Sequence, residues 1–586
     1  MPADSSSTDQ NQTPTGGHPT AHSVFYPKLL TTLKGYSRTA FLGDLSSGVT
    51  VGIVALPLAI AFAIASGVTP DRGLITAIIA GFLISALGGS RVQVGGPTGA
   101  FVVIVYGIVA QFGVNGLILC TIMAGALLIL MGVLKLGSFI KFIPYPLTVG
   151  FTAGIAVIIF TSQIRDFLGL QTAELPADFI EKIAVYADSI GTLHTQTLAL
   201  ASLALLIILV WPRISRRIPG SIIAIIVVTG IVQYFNLDVE TIGSRFGDIP
   251  SGLPRPTWPE FSLETLRELS GPAFTVAFLA AIESLLSATV ADGMIESRHR
   301  SNTELVAQGI ANIATPLFGG IPATGAIART ATNVKNGGRT PMAGIIHAFT
   351  LLLIVILFGR WAGMIPLCVL AAILVVVAYH MSEWRAFKAL LSAPRTDVAV
   401  LLISFLLTVF IDLTVAVEVG LLLSVVLFMK RMTDVTTIRE VTADLTRESD
   451  ELADELALRS SPDAITRREV PAGAAVYEAE GAFFFGVAER LRDTLTIGKT
   501  PPKVLILRMR HVLALDASGL RALADMHKSC RRAGTQLILS GIHAQPLFAL
   551  KKSGLLEQFG SDNVLSHIDE ALARARTLLG LPKPNA

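Results

Sequence analysis

Long apolar stretches recur from Asp44 to Lys430, separated by short polar loops. Many are about 17–25 residues long, the span of a helix crossing a bilayer core. The pattern predicts roughly fourteen membrane segments, beginning near residues 45, 73, 98, 114, 146, 196, 219, 270, 302, 324, 341, 362, 396 and 413. Two of them, the third and the tenth, are interrupted. The first break reads Gly95-Gly96-Pro97-Thr98-Gly99-Ala100-Phe101; the second reads Gly319-Gly320-Ile321-Pro322-Ala323-Thr324-Gly325-Ala326-Ile327. Both consist of residues that stop a helix and allow another to start. Before the first, Arg91-Val92-Gln93-Val94 alternates like a short strand.

A helix that starts inside a membrane must satisfy its first backbone N–H groups by some means. Its N-terminus carries partial positive charge, so it suits an anion. Each break is third in a set of seven. A repeat with an odd number of crossings inserts its second copy upside down, so the two broken helices should face each other near the midplane. The fold class expected is an α-helical polytopic membrane protein, a 7+7 inverted repeat, followed by a soluble α/β domain.

Charge supports the count. With a cytoplasmic N-terminus, one set of loops carries Arg91, Lys135, Lys141, Arg213, Arg216, Arg217, Arg298, Arg300, Lys335, Arg339, Arg385, Lys388 and Arg395, and Lys430 and Arg431 follow the last span. The longer opposite loops carry Asp166, Glu174, Asp178, Glu181, Asp238, Glu240, Asp248 and Glu260. Lysine and arginine thus gather on one side, as they do in cytoplasmic loops, and both termini are expected in the cytoplasm.

Composition agrees: of 586 residues 52% are hydrophobic and 15% charged, and the mean hydropathy is +0.63. The net charge of +3 gives no footprint for nucleic acid. Cys120, Cys368 and Cys530 have no metal-ligand or CxxC spacing. The expected organisation is a polar tail over 1–24, a membrane domain over 25–431, a charged linker over 432–469 and an α/β domain over 470–582. In that last domain, strands are expected at Ala482-Phe483-Phe484-Phe485, Val504-Leu505-Ile506-Leu507 and Gln536-Leu537-Ile538-Leu539, and helices near 487–496, 517–531, 544–552 and 564–579.

Glu283 lies in the middle of the eighth segment. An intramembrane carboxylate is costly and usually lines a cavity or relays ions; the alternative is a protonated acid bonded to a neighbouring helix. Arg329 lies about one turn after Gly325, where a guanidinium would favour anions or pair with Glu283 or backbone carbonyls. Thr98, Gly99, Ala100 and Phe101, with Gly325, Ala326 and Ile327, would offer backbone N–H groups and a pocket wall, small residues letting an anion approach; the bland alternative is close helix packing. Pro57 and Phe62 of the first segment are expected to wall the same cavity. His347 and His380 are isolated and read as structural; Asp412 and Glu418 read as interfacial; Asp292, Glu296, Arg298 and Arg300 form a charged inner loop.

Taken together, the chain from about residue 25 to 580 resembles the SulP anion permease family. The motifs are Leu56-Pro57-Leu58-Ala59-Ile60-Ala61-Phe62, Pro70-Asp71-Arg72-Gly73-Leu74, the stretch 89–99, Ala281-Ile282-Glu283-Ser284-Leu285-Leu286, the stretch 319–330, and Leu515-Asp516-Ala517-Ser518-Gly519-Leu520. The resemblance implies a transporter with a C-terminal STAS domain and no enzymatic activity or cofactor. Ala281 to Leu286 and Ile327-Ala328-Arg329 are most similar to the DauA type, which implies proton-coupled C4-dicarboxylate uptake by alternating access; sulfate or bicarbonate, with protons or sodium, is the alternative. By resemblance Glu283 serves ion coupling, Arg329 lies by the anion pocket, and a homodimer and a cytoplasmic regulator at the STAS domain are the expected partners. Many relatives carry Gln where this chain has Leu58. Ser518 matches the phosphorylated serine of soluble STAS proteins, the alternative being an unmodified helix cap. An anion channel or sensor signalling through the STAS domain is a further reading. No GxxxxGK[ST] phosphate loop is present, so coupling to an ion gradient is expected.

Overall fold

The computed structural model describes residues 25–138, 144–172, 175–176, 178–215, 219–247, 252, 254–259, 262–435, 437–440, 470–481, 483 and 501–582. The expectations for the tail 1–24, for Lys141, Glu174, Arg216, Arg217, Asp248 and Glu260, for residues 441–469, and for the strand at Ala482, Phe484 and Phe485 with the helix near 487–496 lie outside these residues. The chain forms two units, Met1–Leu422 and Leu423–Ala586.

In the first unit the helices are α1 (Arg38–Ala65), α2 (Pro70–Leu87), α3 (Ala100–Val133), α4 (Tyr145–Ser162), a surface helix α5 (Phe179–Ser189), α6 (Thr195–Ile214), α7 (Gly220–Phe235), α8 (Ser270–Ile295), α9 (Ser301–Leu317), α10 (Ile327–Lys335), α11 (Met342–Ala362), α12 (Leu367–Met381), α13 (Arg395–Phe410) and α14 (Leu413–Val435), the last running on into the second unit. The fourteen expected segments correspond to these helices without α5, because α3 contains the third and fourth. It bends between them at Gly113, whose φ of 66° favours glycine. Among the described residues, nine helical spans are long and apolar enough to cross a membrane. Of the other segments, α7, α9 and α13 are helices of 16, 17 and 16 residues, and α10, which follows the second break, has 9.

Packing follows an inverted repeat. The first segment packs on the eleventh (α1 on α11), and the eighth on the helix that holds the third and fourth (α8 on α3). Likewise α2 meets α11 as α9 meets α3, and α4 meets α13 as α12 meets α6. Contact is close because glycines let backbones touch, the usual means of helix association in lipid. Gly125 of α3 and Gly309 of α9 face each other: a Cβ on Gly309 would lie 2.5 Å from the Gly125 carbonyl oxygen, and one on Gly125 2.7 Å from that of Gly309. Gly48 and Gly52 of α1 likewise lie against Ala343, Ile346 and Thr350 of α11. At the same crossing the buried Asp44 carboxylate accepts the Arg339 and Thr340 N–H groups (2.8 and 3.2 Å) and the Tyr36 hydroxyl (2.9 Å), closing the start of α11 onto α1. Burial and that bond push the Tyr36 hydroxyl up to about 12.

The second unit carries a five-stranded sheet in the order β3-β4-β5-β6-β7: β3 (Thr437–Glu440), β4 (Ala474–Glu480), β5 (Val504–His511), β6 (Gln536–Ser540) and β7 (Val564–Leu565). β4 to β7 are parallel and β3 is antiparallel at the edge. Parallel strands are covered on both faces and therefore read as unbroken apolar runs. Leu505, Leu507 and Leu539 pack with Leu523 and Met526 of α15 (Ala517–Arg532) and Leu550 of α16 (Ala544–Lys552). Ile506 and Ile538 pack with Ile568 and Leu572 of α17 (Ile568–Leu578). Two expectations are corrected: β3 lies within the stretch expected to be linker, and β4 precedes the first expected strand.

Gly309→Leu is predicted to lower the apparent melting temperature in detergent, with loss of monodisperse protein, because the added side chain has no room between two backbones. Gly230→Leu, at a position in α7 with open space around it, should stay within a degree or two of wild type.

Candidate functional site

The two breaks meet. β1 (Gly95–Gly96) and β2 (Thr324–Gly325) pair antiparallel, Gly95 opposite Gly325 and Gly96 opposite Thr324. The Ala326 N–H extends the ladder to the Val94 carbonyl at 3.0 Å. The pairing thus starts one step later than the Arg91-to-Val94 strand that the alternation predicts. Beyond the ladder the chain enters α3 on one side and α10 on the other.

The second segment of each repeat reaches the opposite repeat, and α9 also holds the break of its own. Arg72 of α2 donates to the Gly319 carbonyl at 2.8 Å, and the Thr76 hydroxyl accepts the Ile321 N–H at 2.8 Å. Glu304 of α9 accepts the Gly89 and Ser90 N–H groups (2.8 and 3.1 Å), and Asn312 takes both the N–H and the carbonyl of Ala323 at 2.8 Å. Thr330 of α10 accepts the Val94 N–H at 3.1 Å, and Asn333 donates to the Val92 carbonyl at 2.7 Å. Buried backbone polar groups need such partners where no water reaches.

Glycine is required here by crowding. Gly96 has φ 150°, and a Cβ on it would lie 2.2 Å from Nη1 of Arg329. A Cβ on Gly325 would lie 1.6 Å from the Gln93 amide nitrogen, and one on Gly99 2.5 Å from Sδ of Met381 and 3.4 Å from the Phe62 ring. At the start of α3, the Phe101 and Val102 N–H groups turn back on the Thr98 and Gly99 carbonyls (3.3 and 3.1 Å). The N–H groups of Gly99 and Ala100, and on α10 those of Ile327, Ala328 and Arg329, have no backbone partner among the described residues. Two helix N-termini therefore converge on one place.

Charge is set around it. Arg329 is 2% exposed; its Nη2 donates to the Pro97 carbonyl at 2.8 Å, and its Nη1 has no partner among the described residues. Glu283, part-buried in α8, accepts the Thr98 hydroxyl at 2.9 Å. No ion pair joins Arg329 to Glu283 among the described residues, so the guanidinium braces the first break and the carboxylate binds it from the other side. Ala326 is buried and Ile327 is 42% exposed. Phe62 reaches Gly99, whereas Pro57 is buried within α1.

Two neighbours escape sequence reasoning. Gln93 is buried with both amide atoms unpartnered among the described residues, and Met381 seats on Gly99 from the end of α12; His347, expected to be structural, is buried against Gly81. Only the placement of Gln93 beside a glycine run hints at its role.

Elsewhere, Asp516 caps α15 by accepting the Gly519 N–H at 2.7 Å, so Ser518 lies in the first turn without being the cap. The inner-loop cluster holds a Ser301–His299–Asp292 chain (2.9 and 2.7 Å). Its connectivity matches a hydrolase triad, yet Asp292 also takes the His299 backbone N–H at 2.7 Å, and the chain fastens the α8–α9 turn.

Residues 41–404 match the sulfate permease family and residues 465–572 the STAS domain. The chain belongs to the sulfate permease family. Like the other members of this family it is a transporter and not an enzyme. It is 42% identical over 539 residues to YvdB of Bacillus subtilis (strain 168), whose provisional name is sulfate transporter, covering 92% of this chain and 98% of that one. It is 29% identical over 545 residues to the bicarbonate transporter BicA of Picosynechococcus, covering 91% and 94%. Among solved structures, the transmembrane domain of a cyanobacterial BicA has a TM-score of 0.59 at 31% identity, covering 67% of this chain and 98% of that one. The murine Solute Carrier 26 family member A9 anion transporter in its inward-facing state has a TM-score of 0.82 at 18% identity, covering 94% of each chain, a likeness of fold. The C4-dicarboxylate subfamily is not among these relatives.

Gly325→Ala is predicted to abolish anion uptake while leaving the protein folded by size-exclusion chromatography, since the new methyl occupies the place of the Gln93 amide. Adding Gln93→Ala should restore part of the uptake.

Proposed function

We propose that this sulfate permease is a secondary active transporter of small oxyanions, sulfate first, and that the anion sits between the converging N-termini of α3 and α10. The observation that carries the reading is that convergence: unpaired N–H groups of Gly99, Ala100, Ile327 and Ala328 around a buried guanidinium. Helix dipoles and backbone donors attract anions without regard to the rest of the ligand. Sulfate is put first because the relative at 42% identity carries that name; bicarbonate follows from BicA. Succinate and similar C4-dicarboxylates remain a second reading, favoured by the motif from Ala281 to Leu286.

In this reading the Thr98–Glu283 hydrogen bond couples the anion to the ion gradient. Glu283 reads the state of the first half-helix through Thr98, so protonation, or replacement by sodium, alters how that helix is held. Alternating access would come from the α1–α3/α8–α11 core moving against the other helices. The protein is placed in the bacterial inner membrane with both termini cytoplasmic, supported by the bias of loop lysine and arginine. A homodimer, a regulator at the STAS domain and phosphorylation at Ser518 belong to the same proposal.

Uptake of labelled sulfate, bicarbonate and succinate into proteoliposomes, with and without inward proton or sodium gradients, tests it. Sulfate accumulation against its gradient is expected, and absence of uptake for all three would refute anion transport. Glu283→Gln should still exchange labelled for unlabelled anion yet fail to accumulate it. Accumulation equal to wild type would remove Glu283 from coupling.

A further inference from the structure

A cavity of roughly 890 Å3 opens on the face of the membrane unit that bears α5. Its lining includes Val102 and Val103 of α3, about one turn beyond Gly99, together with Tyr106, Arg165, Lys182 and Arg245. It leads toward the end of α3 that carries the unpaired N–H groups.

Its cations divide into two kinds. Arg245 is committed: it pairs with Asp166 at 2.8 Å and donates from Nε to Glu240 at 2.6 Å. Lys182 and Arg165 are not. Lys182 is 5% exposed, lies with Nζ 4.9 Å from the centre of the Tyr106 ring, and has no carboxylate in ion-pair contact among the described residues. Nε of Arg165 is buried without a hydrogen-bond partner among the described residues. Burial pulls the Lys182 ammonium below its ordinary value, with the Asp178 charge acting against it.

The cavity's carboxylates do not cancel these cations. Asp166 is held by Arg245, Asp178 caps α5 by accepting the Ile180 and Glu181 N–H groups (2.8 and 3.1 Å), and Asp412 is exposed. A buried guanidinium nitrogen without a partner, and on the same cavity wall an ammonium with no carboxylate in ion-pair contact among the described residues, are costly unless something supplies acceptors. A small oxyanion supplies them.

We propose that Lys182 and Arg165 form a second anion-binding site in this cavity, for small oxyanions of the sulfate or carboxylate class. It collects anions from the α5 face and hands them to the half-helix site. Collection and hand-over rest on the transport reading; binding itself does not.

The test therefore has an arm that needs no transport. Gly107→Cys puts a thiol on the cavity wall where a Cβ meets nothing within 4 Å, and the native cysteines are all buried. In the full-length protein, sulfate should slow maleimide alkylation of that thiol severalfold relative to gluconate. The protection should vanish when Lys182→Met is added and return with Lys182→Arg. Absence of protection, or protection that survives Lys182→Met, overturns the site.

In the second arm, Lys182→Met should raise the half-saturating sulfate concentration about tenfold for uptake from the α5 face, with the maximal rate nearly unchanged, since local attraction acts on encounter. Aminoethylation of Lys182→Cys, which restores a cation, should reverse the effect; methylthiolation should not. Wild-type kinetics in Lys182→Met, in a preparation that transports sulfate, would overturn the delivery role alone. A preparation that transports no anion would instead count against the function proposed above.

Discussion

Two helices begin in the interior of this membrane unit, and their first backbone N–H groups must be answered where water is scarce. The molecule answers by crossing the two breaks as a two-residue antiparallel ladder, Gly95 on Gly325 and Gly96 on Thr324. That ladder consumes the extended backbone before each half-helix and leaves the N–H groups of the helix ends themselves for a ligand. The inverted repeat makes this geometry available, because only opposed copies bring two like helix ends together. The glycines at Gly96, Gly99 and Gly325 follow from the crowding that results.

The ladder alone would be a weak joint. It is held because the second segment of each repeat reaches across to the other, Arg72 and Thr76 to Gly319 and Ile321 and Glu304 to Gly89 and Ser90, while Asn312 clamps Ala323 in the break of its own repeat. These polar side chains on α2 and α9 thereby satisfy backbone that would otherwise be stranded. The same cross-bracing ties both half-helices together. Thr98 is the place where the first half-helix touches an ionisable group, Glu283; in the function proposed above, that joint is where coupling would act.

Much of this was legible in the sequence. Glycine, proline and threonine inside apolar stretches mark the breaks because they change backbone preference whatever surrounds them. Counting segments to seven and seven gave the inversion, and Gly113 divides the third from the fourth as the spacing predicts. Gln93 and Met381 were not legible: their contacts depend on the register of a two-residue ladder and on the end of a helix some 280 positions away. Nor were the partners of Glu283 and Arg329, since spacing brings both near the breaks without saying that one meets a threonine and the other a carbonyl. In the second unit, Thr437 to Glu440 reads as charged linker because an edge strand needs no apolar alternation, and its pairing with β4 is a long-range fact.

The central claim is that an anion occupies the space between the N-termini of α3 and α10. It is tested most directly by determining the structure with selenate in place of sulfate and locating selenium by anomalous scattering. The account predicts a peak within hydrogen-bonding reach of the Gly99, Ala100 and Ile327 N–H groups, lost in Gly325→Ala. A fully occupied selenate elsewhere in the membrane unit, with that space empty, would contradict it.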